Sequence, residues 1–126
     1  INADTVMIGH SLGAAFVLNY LEQAGREIKA AFLVAGWHKP LKNEFKELNK
    51  SFDDKKFNWG IITENCEKFI VIGSDNDPYI PIETTRQLAV LLDAELHIIK
   101  NGGHLNSKAG YDKFPQLLEL IKKELQ

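Results

Sequence analysis

A chain of 126 residues with 44% hydrophobic residues has the size and apolar content of one folded domain, which excludes a disordered tail. Fifteen Lys and Arg stand against seventeen Asp and Glu, a formal charge of −2, so no overall basic field exists to gather nucleic acid or anionic lipid. The longest apolar stretch, Ala30 to Ala35, is far too short to span a bilayer, and the partners expected are neither nucleic acid nor membrane.

The single cysteine, Cys66, has no partner in the chain for a disulfide, which suits a reducing compartment, and a cytoplasmic location is the expectation. The sequence opens at Ile1 without an initiator methionine, a few residues before its first strand, so an upstream segment is expected to be missing.

In chain order, Asp4 to Gly9 reads as a short strand, because Val6, Met7 and Ile8 are consecutive apolar residues, the pattern of a parallel strand covered on both faces. Gly9-His10-Ser11-Leu12-Gly13 follows, a G-x-S-x-G pentapeptide between that strand and a helical pattern that starts at Leu12. A serine on a sharp strand-to-helix turn holds its hydroxyl clear of the backbone, with glycines two residues to either side so that nothing collides. Ser11 is the candidate nucleophile. The helix is apolar nearly all round its first turns, predicting deep packing, and Ala24-Gly25 supplies its stop.

Ile28 to Val34 is a second strand, completing a strand–helix–strand unit of the kind that closes right-handed into a parallel sheet with ligand sites beyond the strands' carboxyl ends. Residues 37 to 65 break the rhythm. Leu41, Phe45, Leu48 and Phe52 fall at helical spacing among interleaved lysines and glutamates, which predicts a short amphipathic helix, either a plain surface helix or a cap or pocket wall. Phe69 to Gly73 is a third strand, Ser74 to Pro81 a loop of turn formers, Ile82 to Leu92 a helix and Glu95 to Ile99 a fourth strand. Asn101-Gly102-Gly103 makes a turn, and a last helix runs from about Phe114 to Leu125 with Leu117, Leu118, Ile121 and Leu125 on one side. The fold class is α/β: a three-layer α/β/α parallel sheet of about four strands, one domain over residues 1–126.

A serine hydroxyl needs a base within hydrogen-bond reach and a third group to orient that base. Asp77 lies in the loop after the third strand and His104 in the loop after the fourth, so all three candidates fall at one sheet edge, in the order Ser, Asp, His of an α/β-hydrolase. Asp75 competes with Asp77. The proline-fixed turn Asp77-Pro78-Tyr79-Ile80-Pro81 favours Asp77 as the acid and leaves Asp75 to hold the loop together. His38 is on the active edge too, as a pocket residue or a competing base, whereas His97 lies inside a strand. The Leu12 N–H, at the start of the helix, is the expected oxyanion donor; a second normally comes from a loop after an earlier strand, and no earlier strand precedes residue 4. His10, Trp37, His38 and Trp59 are the candidates for lining a substrate site.

Rival chemistries fit less well. A dinucleotide fingerprint needs glycine where Ser11 and Ala14 stand, and neither the histidines nor Cys66 have metal-motif spacing, so neither a cofactor nor a metal is expected.

Gly-His-Ser-Leu-Gly-Ala at 9–14, Gly-Ser-Asp-Asn-Asp-Pro-Tyr-Ile-Pro at 73–81 and Gly-Gly-His-Leu-Asn at 102–106 together resemble the YdeN-like serine hydrolases, an α/β-hydrolase family that includes a retinoblastoma-binding hydrolase of animals. Phe57-Asn58-Trp59 through Asn65-Cys66 is similar to that family as well. The resemblance implies Ser11 as nucleophile, Asp77 as acid, His104 as base, Trp59 near the pocket, and a cofactor-free hydrolase of small-molecule esters or amides. Family domains carry further strands, a helix and the first oxyanion loop ahead of the elbow strand. The comparison therefore predicts that this chain is a fragment or has lost its amino-terminal part, and that its first strand has an open edge for another segment or subunit to cover. A non-catalytic interaction domain on the same scaffold, and a transferase with a non-water acceptor, are the alternative functions.

Overall fold

The computed structural model describes residues 1–39, 41 and 56–126. Among them are four strands, β1 (Val6–His10), β2 (Ile28–Val34), β3 (Cys66–Ser74) and β4 (Glu95–Ile99), and four α-helices, α1 (Leu12–Ala24), α2 (Trp59–Glu64), α3 (Ile82–Leu92) and α4 (Pro115–Leu125). The strands pair all-parallel in the order β1-β2-β3-β4.

Two apolar layers hold helices to the two faces of the sheet. On one face, Met7, Ala31, Leu33, Phe69 and Val71 meet Ala14, Leu18 and Leu21 of α1, Ile62 of α2 and Leu88, Ala89 and Leu92 of α3. On the other, Val6, Ala30, Phe32, Val34, Ile70 and Ile72 meet Leu105 and, from the C-terminal region, Tyr111, Phe114, Leu117, Leu120 and Ile121. The arrangement is three-layer α/β/α. Phe32 is wholly buried, a transfer worth about 2 to 3 kcal/mol for one such side chain.

Local signals set most boundaries. Gly25 takes the left-handed conformation (φ 61°) that closes α1, and Asp93 does the same for α3 (φ 49°). The helix α2 has a poor helical sequence, Trp-Gly-Ile-Ile-Thr-Glu, and no periodicity predicts it. It is held by caps and neighbours instead: Asn58 Oδ1 accepts from the Ile61 N–H, and the Asn65 side chain donates to the Leu21 carbonyl at the end of α1.

Four expectations need correction, and a fifth falls mostly outside the described residues. β1 begins at Val6 rather than Asp4, and Ile8 is 51% exposed rather than covered, because β1 is the outer strand of the sheet. The helix after the elbow is not buried all round, since Phe16 is 63% exposed while Ala14, Ala15, Leu18 and Leu21 turn to the sheet. β3 starts at Cys66, three residues earlier than its apolar run, because pairing with β2 extends it (Ile28 opposite Cys66) and Lys68 carries its ammonium out to Glu124 at 2.6 Å. The packed face of α4 is Leu117, Leu120 and Ile121, with Leu118 and Leu125 exposed. Of the expected amphipathic helix over Leu41 to Phe52, only Leu41 is described, buried against Trp37 and Ile80.

The two glycines of the pentapeptide are not equivalent. A Cβ on Gly9 would lie 2.5 Å from the Gly13 carbonyl oxygen and 2.7 Å from the Ala14 nitrogen, backbone atoms that cannot give way, whereas a Cβ on Gly13 meets nothing within 4 Å among the described residues. Close approach of β1 to α1 thus explains Gly9 alone. Gly9→Ala is expected to cost about 2 kcal/mol of stability in urea denaturation, within the usual range for overpacking. Gly13→Ala is expected to be neutral or stabilising, since it removes a helical glycine; equal losses at both positions would contradict the asymmetry.

Candidate active site

Parallel pairing sends the carboxyl ends of all four strands to one edge, and the loops there carry the residues of interest. Ser11 follows β1 directly. Its backbone takes φ 57°, ψ −121°, outside the regions a serine ordinarily occupies, and is held there by the Ser11 N–H donating to the Val34 carbonyl at 2.8 Å and by the first turn of α1. Leu12 opens that helix, so its N–H has no acceptor within the helix and lies beside the serine.

The loops after β3 and β4 are laced together residue by residue. Asp75 Oδ1 accepts from the Asn101 N–H at 2.8 Å, and Asn76 Oδ1 from the Gly103 N–H at 2.7 Å. Asp77 Oδ2 accepts from His104 Nδ1 at 2.8 Å, while its Oδ1 takes the Tyr79 and Ile80 N–H groups at 2.8 and 3.1 Å. The competition between the two aspartates is thereby decided in geometry: Asp75 holds the loop and Asp77 reaches the imidazole.

With Nδ1–H committed to an aspartate oxygen, which only accepts, His104 Nε2 presents its lone pair, and Ser11 Oγ donates to it at 2.9 Å. The pair is nearly dry, the side chains of Asp77 and His104 being 2% and 8% exposed. Such a setting strengthens each contact relative to water. The His104 ring is further flanked by Tyr79, edge-on with centroids 5.0 Å apart, and by His10 at 5.1 Å. His10 Nε2 also donates to the His104 carbonyl at 2.9 Å.

The other pocket candidates sit elsewhere. Trp37 is buried with Leu41 and Ile80, and Tyr79 packs against the same group, so Trp37 backs the loop that carries Asp77. His38 and Trp59 meet edge to face at 5.8 Å, and Trp59 also touches Phe57 on the α1 side of the sheet. His38 lines an open, almost wholly apolar hollow of about 440 Å³ with Arg86, Gln87, Val90 and Leu91. Burial, and secondarily the Lys39 ammonium, push its pKa down from 6.5 to about 4. Its ring is paired with Trp59, and the hydrogen bonds of Ser11 and Asp77 go to His104 instead. Burial pushes the Cys66 thiol up to about 12, which removes it as a nucleophile. Among the described residues no group of His, Cys, Asp and Glu is arranged to hold a metal ion, and no helix is long and apolar enough to cross a membrane.

Sequence reasoning missed Tyr79, Asn76 and the contact of His10 with the His104 carbonyl. Only the run Asp75-Asn76-Asp77, three short polar side chains in a row, hinted at the lacing; which atoms they reach depends on how β3 and β4 bring their loops together.

With this geometry in view, the family model described as serine hydrolase matches residues 1–123. The chain belongs to the serine hydrolase family. It is 30% identical over 121 residues to serine hydrolase RBBP9 of Rattus norvegicus, covering 96% of this chain and 61% of that protein. To YdeN of Bacillus subtilis (strain 168) it is 29% identical over 128 residues, covering 96% of this chain and 64% of the other. The crystal structure of the ydeN gene product from B. subtilis matches with a TM-score of 0.91 at 26% identity, over 98% of this chain and 67% of that one. This family member thus spans somewhat less than two thirds of the length of the two curated relatives.

The depressed pKa of His38 makes a stability prediction. Its ring stays neutral in the fold down to pH of about 4 while the unfolded chain takes up a proton near 6.5, so its contribution is present above pH 6.5 and is lost as pH falls towards 4. Urea midpoints at pH 7, 5.5 and 4 for the wild type and His38→Gln should show the wild type losing about 1 to 2 kcal/mol more over that range, a figure discounted for the partial exposure of the ring. Parallel pH profiles would count against a buried neutral His38.

Proposed function

We propose that this chain carries the nucleophile, base and acid of a hydrolase that cleaves small-molecule carboxylic esters or amides through an acyl-Ser11 intermediate. The observation that carries the reading is the continuous chain from Asp77 Oδ2 through His104 Nδ1 and Nε2 to Ser11 Oγ, at 2.8 and 2.9 Å. Each link has a chemical task. As Oγ attacks the substrate carbonyl carbon, its proton passes to His104 Nε2, and Asp77 holds Nδ1–H and stabilises the imidazolium that forms. The carbonyl oxygen, now negative, lies where the Leu12 N–H at the positive end of α1 donates to it.

Collapse of the tetrahedral species breaks the bond to the alcohol or amine, which takes the proton from Nε2 and departs. A water molecule then attacks the acyl carbon, gives a proton to Nε2, and releases the acid as the carbon–Oγ bond breaks and the proton returns to Ser11. Nothing in this sequence requires a cofactor. Tyr79, edge-on to the base, and Trp37, packed with Ile80 in the same cluster as Tyr79, keep the acid's loop rigid while the protons move. The exposed Ile8 on the outer strand β1 favours an additional segment or subunit covering that edge.

The experiment is labelling of the full-length protein with a fluorophosphonate followed by mass spectrometry. The expected adduct is on Ser11, absent in Ser11→Ala. Asp77→Asn is expected to label and turn over roughly 10³- to 10⁴-fold more slowly while still folding, because an amide favours the wrong imidazole tautomer. A folded protein that is neither labelled nor active would instead support a non-catalytic binding role for the scaffold.

A further inference from the structure

We infer that His10 is a positioning residue that ties the nucleophile's strand to the base, an inference that rests on the roles just proposed for Ser11 and His104. His10 is the last residue of β1, in register with Val34 of β2, so its backbone is fixed by the sheet. Its side chain crosses to the loop after β4, where Nε2–H donates to the His104 carbonyl at 2.9 Å and the two rings lie 5.1 Å apart. Leu105, the next residue, has φ 53°, in the left-handed region, so the peptide whose carbonyl accepts from His10 lies in a turn of restricted geometry.

Among the described residues, two hydrogen bonds join the elbow to the base's loop: this one, and the bond from Ser11 Oγ to His104 Nε2. The second is made of the reacting atoms. Once Ser11 is acylated, Oγ is esterified and has no proton to donate, so that bond is lost during the half of the cycle in which His104 must take a proton from water. The bond from His10 is indifferent to the state of Ser11. It keeps the imidazole over the acyl group when the nucleophile no longer can, and Asp77 from the far side keeps its rotation.

The test compares the full-length wild type, His10→Leu and His10→Gln in turnover of p-nitrophenyl acetate, divided by the fraction of chains that a fluorophosphonate labels on Ser11 at completion. Leucine fills the space without a donor, and the glutamine amide restores one. The expected result is a tenfold or greater fall in turnover per labelled site for His10→Leu and a value within threefold of wild type for His10→Gln. A merely structural role lowers the fraction labelled and leaves turnover per site unchanged. The inference is overturned by His10→Leu within twofold of wild type per site, or by His10→Gln as slow as His10→Leu. Either outcome with an active wild type leaves the proposed function standing, whereas a wild type that is neither labelled nor active removes both.

Discussion

Parallel strand pairing is the constraint on which everything else here depends. Because β1, β2, β3 and β4 run in one direction, Ser11, the Asp75–Asp77 loop and the loop ending at His104 all emerge at the same edge. An antiparallel neighbour anywhere in that order would send one of them to the opposite end of the strands, some 15 Å or more away for five residues at about 3.3 Å each. The apolar layers on the two faces are the energetic reason that the pairing persists, with Phe32, Leu33, Ile70 and Val71 at the centre shut off from water.

Proximity at an edge is not yet a site. The lacing of Asp75 to Asn101, Asn76 to Gly103 and Asp77 to His104 turns two loops into one unit. The first two bonds use the backbone N–H groups of Asn101 and Gly103, which would otherwise need water, and the third uses the His104 ring nitrogen. The left-handed residues Asn101, Gly103 and Leu105 lie in one of these loops, and the unusual backbone of Ser11 faces it. Local strain of this kind persists only when surrounding bonds over-determine it. Here they do: Ser11 is fixed by Val34, His104 by Asp77 and His10, and Tyr79 closes against the ring.

Much of this was legible in the linear sequence, and for identifiable reasons. β2, α3 and β4 have the bounds expected, since mainly apolar runs, a proline at the helix entry and turn residues mark their ends. The elements that departed are those whose limits come from neighbours. β3 gains Cys66, Glu67 and Lys68 by pairing with β2, and α2 exists because Asn58, Glu22 and Leu21 hold a short segment that would not be helical alone. Ile8 and Phe16, apolar and so expected inside, are outside, because burial depends on where the sheet ends and periodicity carries no record of that.

The site divides the same way. Residue type and order, with the proline-fixed turn after Asp77, made Ser11, Asp77 and His104 the candidates, because a strand–turn–helix serine, a loop aspartate and a loop histidine at one sheet edge are a chemical pattern that spacing can express. The choice between Asp75 and Asp77 in atomic terms, the pairing of His38 with Trp59 rather than with the serine, and the reach of His10 to the His104 carbonyl were decided by tertiary structure. The reason is physical. A hydrogen bond needs its partners near 2.9 Å and correctly aimed, and whether residues more than ninety positions apart meet that condition is set by strand register and loop packing, which no stretch of sequence contains.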